Sequence, residues 1–370
     1  MTQQPQVSDP TTNLPTVLVV DDSRLMRRMI IAGLEAEGTI KVVGEAEDTT
    51  QARQMIKALN PDVITLDVEM PGMNGIDFLK KIMELRPMPV IMVSTLTAAG
   101  ADVSLAALQI GAFDAIQKPA GREDVARFGH ALREKVRLAR QSRIAPRTMS
   151  STPRRAGQPQ PIKRTGPMPN FGGGQVELIA IGASTGGVRA VTQMLEPLPH
   201  QTPPIVITQH MPETFTSRFA ERLNATLRHN VREATEGEVL APGSVRIAPG
   251  GTHLKVERTN GRLVTTFDQS GPISGHKPSV DVLFNSVSTS AGASAIGVIL
   301  TGMGRDGAAG LRTMRNAGAT TFGQSEDSCV VYGMPKIAFE LGAVSEELDL
   351  REIPHRICDF LNLGTAIKSA

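Results

Sequence analysis

No tryptophan and only one tyrosine occur among the 370 residues, so the chain has little with which to build a base-stacking or carbohydrate-stacking surface. Charge of one sign is missing too. Lys and Arg number 39 against 37 Asp and Glu, and a net +2 is too small to imply a nucleic-acid partner. The two cysteines, Cys329 and Cys358, lie far apart and match no metal spacing, which points to a reducing cytoplasm. No apolar run is long enough to span a bilayer. The polar, proline-containing N-terminus is unlike a secretory signal. What remains is a globular composition, 40% hydrophobic and 21% charged, on a length that favours two domains.

The chain changes character at 140–175. Arg140, Arg143, Arg147, Arg154, Arg155, Lys163 and Arg164 occur with no acidic residue before Glu177, interrupted by six prolines and Gly172-Gly173-Gly174. Apolar periodicity is absent, so a basic, Pro-rich, solvated tether is expected. Domains are expected at 16–139 and 176–364.

Five short apolar runs punctuate the first: TVLVVDD, KVVGEA, DVITLD, PVIMVST and AFDAIQKP. Helix-period segments separate them, and another follows at about 122–139. Alternating β and α predicts a parallel sheet with its working groups at the strands' carboxyl ends. Asp21, Asp22 and Asp67 fall there, as do Ser94 and Lys118. Three carboxylates at one edge repel one another unless a cation sits among them, and a hard, oxygen-ligated ion such as Mg²⁺ suits them. Ser94 and Lys118 could then hold the oxygens of a phosphoryl group on Asp67.

With LDVEMPGMNG at its centre, residues 16–139 resemble a response-regulator receiver domain. The resemblance implies a flavodoxin-like fold, Asp67 as phosphoacceptor, and Mg²⁺ held by Asp21, Asp22, Asp67 and the backbone carbonyl of Glu69. Two positions depart from the pattern: Asn74 stands where Asp is usual, and Ala115 where receivers usually place an aromatic switch residue.

Residues 176–364 alternate again, with apolar runs that suit buried parallel strands. VELIAIG leads into Gly182-Ala183-Ser184-Thr185-Gly186 and a helix near 187–195; PPIVITQ ends at His210; GSVRIAPGG precedes His253; SAIGVIL ends in TGMGRDG and a helix from about 307. GATTFGQ follows, then an expected long helical stretch through CVVYGMPKIAFELG. The turn at 182–187 could cradle a dinucleotide or hold a nucleophile. A dinucleotide loop needs a glycine where Ser184 stands and an acid about 20 residues on, where TQHM occurs instead; a P-loop needs a lysine that is absent. A nucleophilic serine needs a base and an orienting acid. If the strands neighbour one another, Ser184, His210 and Asp306 meet at one edge, in a chain order unlike that of α/β-hydrolases.

Among the histidines, His200 and His229 lie in polar connections and are expected at the surface, His355 is expected at the surface or in packing, and His253 and His276 rival His210 as the base. Asp281, in the first turn of a predicted helix, rivals Asp306 as the acid. Gly182 is expected to allow the sharp turn. The amides of Thr185 and Met303 are candidate oxyanion donors. A DNA-binding regulator would need a basic recognition helix, which the C-terminal half does not offer. A non-catalytic, phosphorylation-controlled binding module would have no use for the Ser, His and Asp together.

IGASTGG, ITQHMP, RIAPGG, HKPSVDVLF, ILTGMGRDGAAG and CVVYGMP occur in that order and resemble the catalytic domain of the chemotaxis protein-glutamate methylesterases. One departure is Lys277, where Arg is common. The resemblance implies two doubly wound α/β domains, a flavodoxin-like receiver and a Rossmann-like catalytic domain. It further implies a triad of Ser184, His210 and Asp306 and hydrolysis of glutamate γ-methyl esters on chemoreceptors, with deamidation of particular glutamines as the related reaction. The esterase itself is expected to need no cofactor. Methylated chemoreceptors and a chemotaxis histidine kinase are the implied partners, with neither nucleic acid nor membrane insertion. The unphosphorylated receiver is expected to cover the active-site edge.

Overall fold

The computed structural model describes residues 14–70, 74–95, 97–119, 121–142 and 176–361. Most of the expected tether lies outside them. The described residues belong to two compact units, one within Met1–Thr148 and one within Met149–Ala370.

The first unit is a five-stranded parallel sheet in the order β2-β1-β3-β4-β5. Its strands are β1 (Thr16–Val20), β2 (Lys41–Ala46), β3 (Val63–Asp67), β4 (Val90–Ser94) and β5 (Asp114–Gln117). Crossover helices α1 (Arg24–Glu35), α2 (Thr49–Leu59), α3 (Gly75–Leu85) and α4 (Ala98–Ile110) connect them, and α5 (Arg122–Gln141) follows. Every residue of β3 and β4 is buried, as a sheet covered on both faces demands. Helix starts are capped by side chains: Ser23 for α1, Asp48 for α2 and Asn74 for α3, where Asn74 accepts from the Asp77 amide at 2.9 Å. Asn caps as well as Asp, which explains why that departure is tolerated. Helix α5 runs to Gln141, two residues beyond its expected end.

The second unit is a seven-stranded parallel sheet in the order β14-β13-β12-β6-β7-β9-β8. Four strands bear on the site: β6 (Leu178–Ala183), β7 (Ile205–Gln209), β12 (Ala295–Ile299) and β13 (Thr320–Gln324). Their residues are buried throughout. The edges are β8 (Asn230–Glu233) and β14 (Glu346–Leu348), with β9 (Ser244–Ile247) between β7 and β8. Flanking helices are α6 (Gly187–Leu195), α7 (Glu213–Thr226), α8 (Val280–Ser290), α9 (Ala308–Asn316), α10 (Met334–Glu340) and α11 (Glu352–Phe360). One core cluster joins β6 and β12 to α8 and α9 through Leu178, Phe284, Leu311 and Met314.

Three expectations need correction. An antiparallel pair, β10 (His253–Thr259) and β11 (Arg262–Asp268), forms a separate two-stranded sheet, so His253 opens a strand of its own rather than lying in a loop. The stretch from Cys329 is not one long helix. Residues 329–333 are extended or bent and α10 begins only at Met334, with Pro335 in its first turn, where a missing amide is harmless. His229 is buried, 3% exposed, and its ring contacts the Thr202 hydroxyl. Burial holds its pKa below the ordinary value, since the charged form would lose its solvation.

Candidate active site

Strand order decides the first question. β12, β6 and β7 are direct neighbours in parallel register, so the loops at their carboxyl ends share one edge. Ser184 follows β6, His210 follows β7 and Asp306 lies between β12 and α9. The turn after β6 is made at Gly186, whose φ of 79° is left-handed, and not at Gly182. Gly182 serves close packing instead: a Cβ there would lie 2.2 Å from Val280 Cγ1. The TGMG loop touches the turn directly, since a Cβ on Gly302 would lie 2.7 Å from that of Ser184.

His210 Nε2 is 2.7 Å from Asp306 Oδ2. Three further donors converge on the same carboxylate: Ser279 Oγ at 2.8 Å, the Val280 amide at 2.7 Å and the Asp281 amide at 3.1 Å. Those amides open α8, so Asp306 sits on a helix N-terminus. Burial alone would raise the Asp306 pKa, but the bonds from His210, Ser279 and Val280 outweigh it and hold the carboxyl at about 2. An ionised acceptor fixes the proton of neutral His210 on Nε2 and leaves Nδ1 with a bare lone pair. Nδ1 is buried and has no hydrogen-bond partner, so the Ser184 hydroxyl does not bond it in this state.

The rival groups find other places. His253 is fully buried; its Nδ1 accepts from the Ser279 amide at 3.0 Å and its Nε2 donates to the Gly271 carbonyl at 3.1 Å, so it anchors the start of α8. His276 stacks face to face on His210, centroids 3.7 Å apart and planes within 8°. His200 and His355 are exposed. Asp281 is in the first turn of α8 and accepts from the Gly310 amide at 2.7 Å, and burial raises its pKa. It ties α8 to α9, and its carboxyl also interacts with that of Asp306, which adds to the rise. Sequence reasoning missed Gln209, whose amide nitrogen donates to the carbonyls of Ser184 at 2.9 Å and His210 at 3.2 Å. The only signal was a polar residue closing an otherwise apolar strand. Lys277 bonds the Gln269 carbonyl at 3.0 Å, outside this cluster.

The first unit gathers a different set. One carboxylate oxygen each from Asp21, Asp22 and Asp67 lies within 4.8 Å of the others. Lys118 Nζ bridges Asp21 at 3.0 Å and Asp67 at 2.9 Å. Burial, and then the Asp21 charge, push the Asp67 carboxyl above its ordinary value despite that lysine. Negative charge therefore exceeds the local positive charge, which suits a divalent cation. Ser94 closes β4, fully buried, and its hydroxyl accepts from Ser104 at 2.9 Å. Asp67 Oδ1 accepts from the Glu69 amide at 3.3 Å. Ala115 lies within β5, half-buried. Arg27, unnoticed in the sequence, is 8% exposed and donates to the carbonyls of Asp21 and Asp22 at 3.0 and 3.2 Å. Its signal was a charge three residues before Ile30 and seven before Leu34, on the buried stripe of α1.

Comparisons with known proteins bear on both units. Residues 179–357 match the family model described as CheB methylesterase, and residues 17–127 match the response regulator receiver domain. A protein-glutamate methylesterase/protein-glutamine glutaminase from Agrobacterium fabrum is 53% identical over 96% of this chain and 98% of its own length. One from Caulobacter vibrioides is 54% identical over 93% and 97%. The solved CheB methylesterase catalytic domain of Thermotoga maritima is 38% identical over 50% of this chain and 97% of that one, with a TM-score of 0.49.

Proposed function

Since this chain belongs to the protein-glutamate methylesterase/protein-glutamine glutaminase family, we propose that it demethylates glutamate γ-methyl esters on chemoreceptors through Ser184, His210 and Asp306. The observation that carries the residue assignment is the ionised Asp306 holding His210 by Nε2 while Nδ1 stays buried and unpartnered, with the His210 amide bonded to the Ala183 carbonyl next to Ser184.

In this reading Nδ1 takes the Ser184 proton as Oγ attacks the ester carbonyl. The imidazolium that forms is stabilised by Asp306 through Nε2. The amides of Thr185 and Met303 receive the oxyanion. The tetrahedral intermediate collapses, the C–O bond to methoxide breaks, and His210 returns its proton to release methanol. His210 then activates a water that resolves the acyl-enzyme to a glutamate carboxylate. A glutamine side chain follows the same course with ammonia as leaving group.

Residues 16–139 act as the receiver, 140–175 as the tether and 176–364 as the catalytic domain. Asp67 accepts a phosphoryl group from a chemotaxis histidine kinase, and phosphorylation raises hydrolysis. Asp21, Asp22, Asp67 and the Glu69 carbonyl would hold Mg²⁺, which neutralises charge around the phosphoryl group. Lys118 and Ser94 contact its oxygens. The protein works in the cytoplasm; no helix among the described residues is long and apolar enough to cross a membrane.

The test is methanol release from methylated chemoreceptor membranes, with and without a small phosphodonor plus Mg²⁺. The expected result is release that depends on Ser184 and rises with the phosphodonor. No release under either condition would overturn the proposal.

A further inference from the structure

Gln209 is 2% exposed and ends β7 directly beneath the catalytic edge. Both of its bonds run to carbonyl oxygens, those of Ser184 and His210, so its amide nitrogen must face them. The side-chain oxygen is left buried and unpartnered. Leaving a buried acceptor unpaired is costly, so this seat is tolerated for what the nitrogen does. The seat exists because residue 187 is a glycine: a Cβ there would lie 2.0 Å from Gln209 Oε1.

The consequence lies in the peptide plane. The Ser184–Thr185 bond is not among the cis bonds, and in a trans peptide the C=O and the following N–H point in opposite directions. A Ser184 carbonyl held down by Gln209 therefore turns the Thr185 amide the other way, toward the edge where Ser184 acts. The Gly187 amide donates to the same carbonyl at 2.7 Å, and the Thr301 hydroxyl holds the next carbonyl, that of Thr185, at 3.0 Å. Gln209 also reaches the carbonyl of His210, the base's own residue, at 3.2 Å.

We infer that Gln209 is a positioning residue for hydrolysis: it orients the Thr185 amide as an oxyanion donor and fixes the nucleophile relative to the base. This rests on the proposed reading of Ser184 and Thr185. Removing one oxyanion donor typically costs on the order of 100-fold in kcat. The experiment measures methanol release from methylated receptor membranes by the full-length chain. Gln209→Leu should lower kcat by about 100-fold and leave KM within about twofold, because the substrate's ground-state contacts are untouched.

Gln209→Glu keeps the shape and gives a readout that mere packing would not. Its carboxylate has no proton to donate to either carbonyl, whereas its protonated form has one. The ratio of variant to wild-type activity should therefore rise as pH falls from about 8 to about 5.5, around the range where a buried carboxyl protonates. A kcat within about twofold of wild type for folded Gln209→Leu overturns the inference. So does a flat ratio for Gln209→Glu, which decides alone if the leucine variant does not fold. Ser184→Ala, run alongside, separates the two failures: activity surviving there sinks the underlying reading, whereas its loss together with a normal Gln209→Leu sinks only the role of Gln209.

Discussion

In the receiver unit, three carboxylates share the sheet edge with one lysine, and burial plus the Asp21 charge push the Asp67 carboxyl up. In the catalytic unit, the Asp306 carboxylate is surrounded by four donors, which hold it at about 2. Both sites lie at the carboxyl ends of parallel strands, where loops and helix starts converge. The fold supplies the place, and the count of donors around the aspartate decides its use. An under-neutralised aspartate suits a site that takes up a cation and a phosphoryl group. An over-supplied one is a fixed anion that holds a histidine in one tautomer.

The largest effect separates the two units altogether. Ser184→Ala should lower methanol release by roughly 10⁴-fold or more while Asp67 still accepts phosphate from a small phosphodonor, followed by radiolabel. His210→Ala should cost a comparable amount, and the double variant little more, because such groups act as a unit. A Ser184→Ala chain retaining a tenth of wild-type activity would overturn the nucleophile assignment.

Next comes the anion itself. Asp306→Asn should lower kcat by about 10³- to 10⁴-fold, since an amide can neither fix the tautomer nor support the imidazolium as a carboxylate does. Asp281→Asn should do far less. If the order is reversed, the acid has been misassigned. In the other unit, Asp67→Ala should leave basal hydrolysis measurable and remove its rise with phosphodonor and Mg²⁺. A variant that still responds would show that the phosphoacceptor lies elsewhere.

The same pair of aspartates should differ in the sign of their effect on stability. Asp306 is depressed below the ordinary carboxylate value, so it stabilises the folded state above about pH 4, and that support is lost as pH falls toward 2. Asp67 is raised, so its charge opposes folding at neutral pH. Thermal unfolding at pH 7 without Mg²⁺ should show Asp306→Asn melting lower than wild type and Asp67→Asn melting higher, each by a few degrees. Shifts of the same sign would break the comparison.

The smallest effect concerns the stacked ring. His276→Ala should lower kcat by up to about tenfold, the worth of one aromatic stack, while His276→Phe keeps most of it. Equal losses in both would mean that His276 acts through its nitrogens.

Much of this was legible in the sequence. Alternating apolar runs and helix-period segments predict both parallel sheets, because strand and helix periods differ in kind. Ser184, Asp67 and Lys118 stood out since polar residues that close apolar strands are costly unless used. The interrupted helix before Met334 was hidden, because VVYGMP is apolar enough to mimic helix, and its backbone is taken up instead by hydrogen bonds to Gly302 and the Thr301 hydroxyl. His229 was misplaced because a polar connection can still fold inward.

The residues alone determined that a serine, a histidine and an aspartate follow three apolar strands, and that three more aspartates crowd another sheet. Which of His210, His253 and His276 meets Asp306, and which partners Asp281 takes, were choices left to the tertiary structure. Those choices depend on strand order, which puts β12 beside β6 and β6 beside β7, and on where α8 begins. Its first amides, with the Ser279 hydroxyl, converge on Asp306 rather than on Asp281. Spacing along a chain carries no record of which amides will point at which carboxylate, because that is fixed only when separate elements pack.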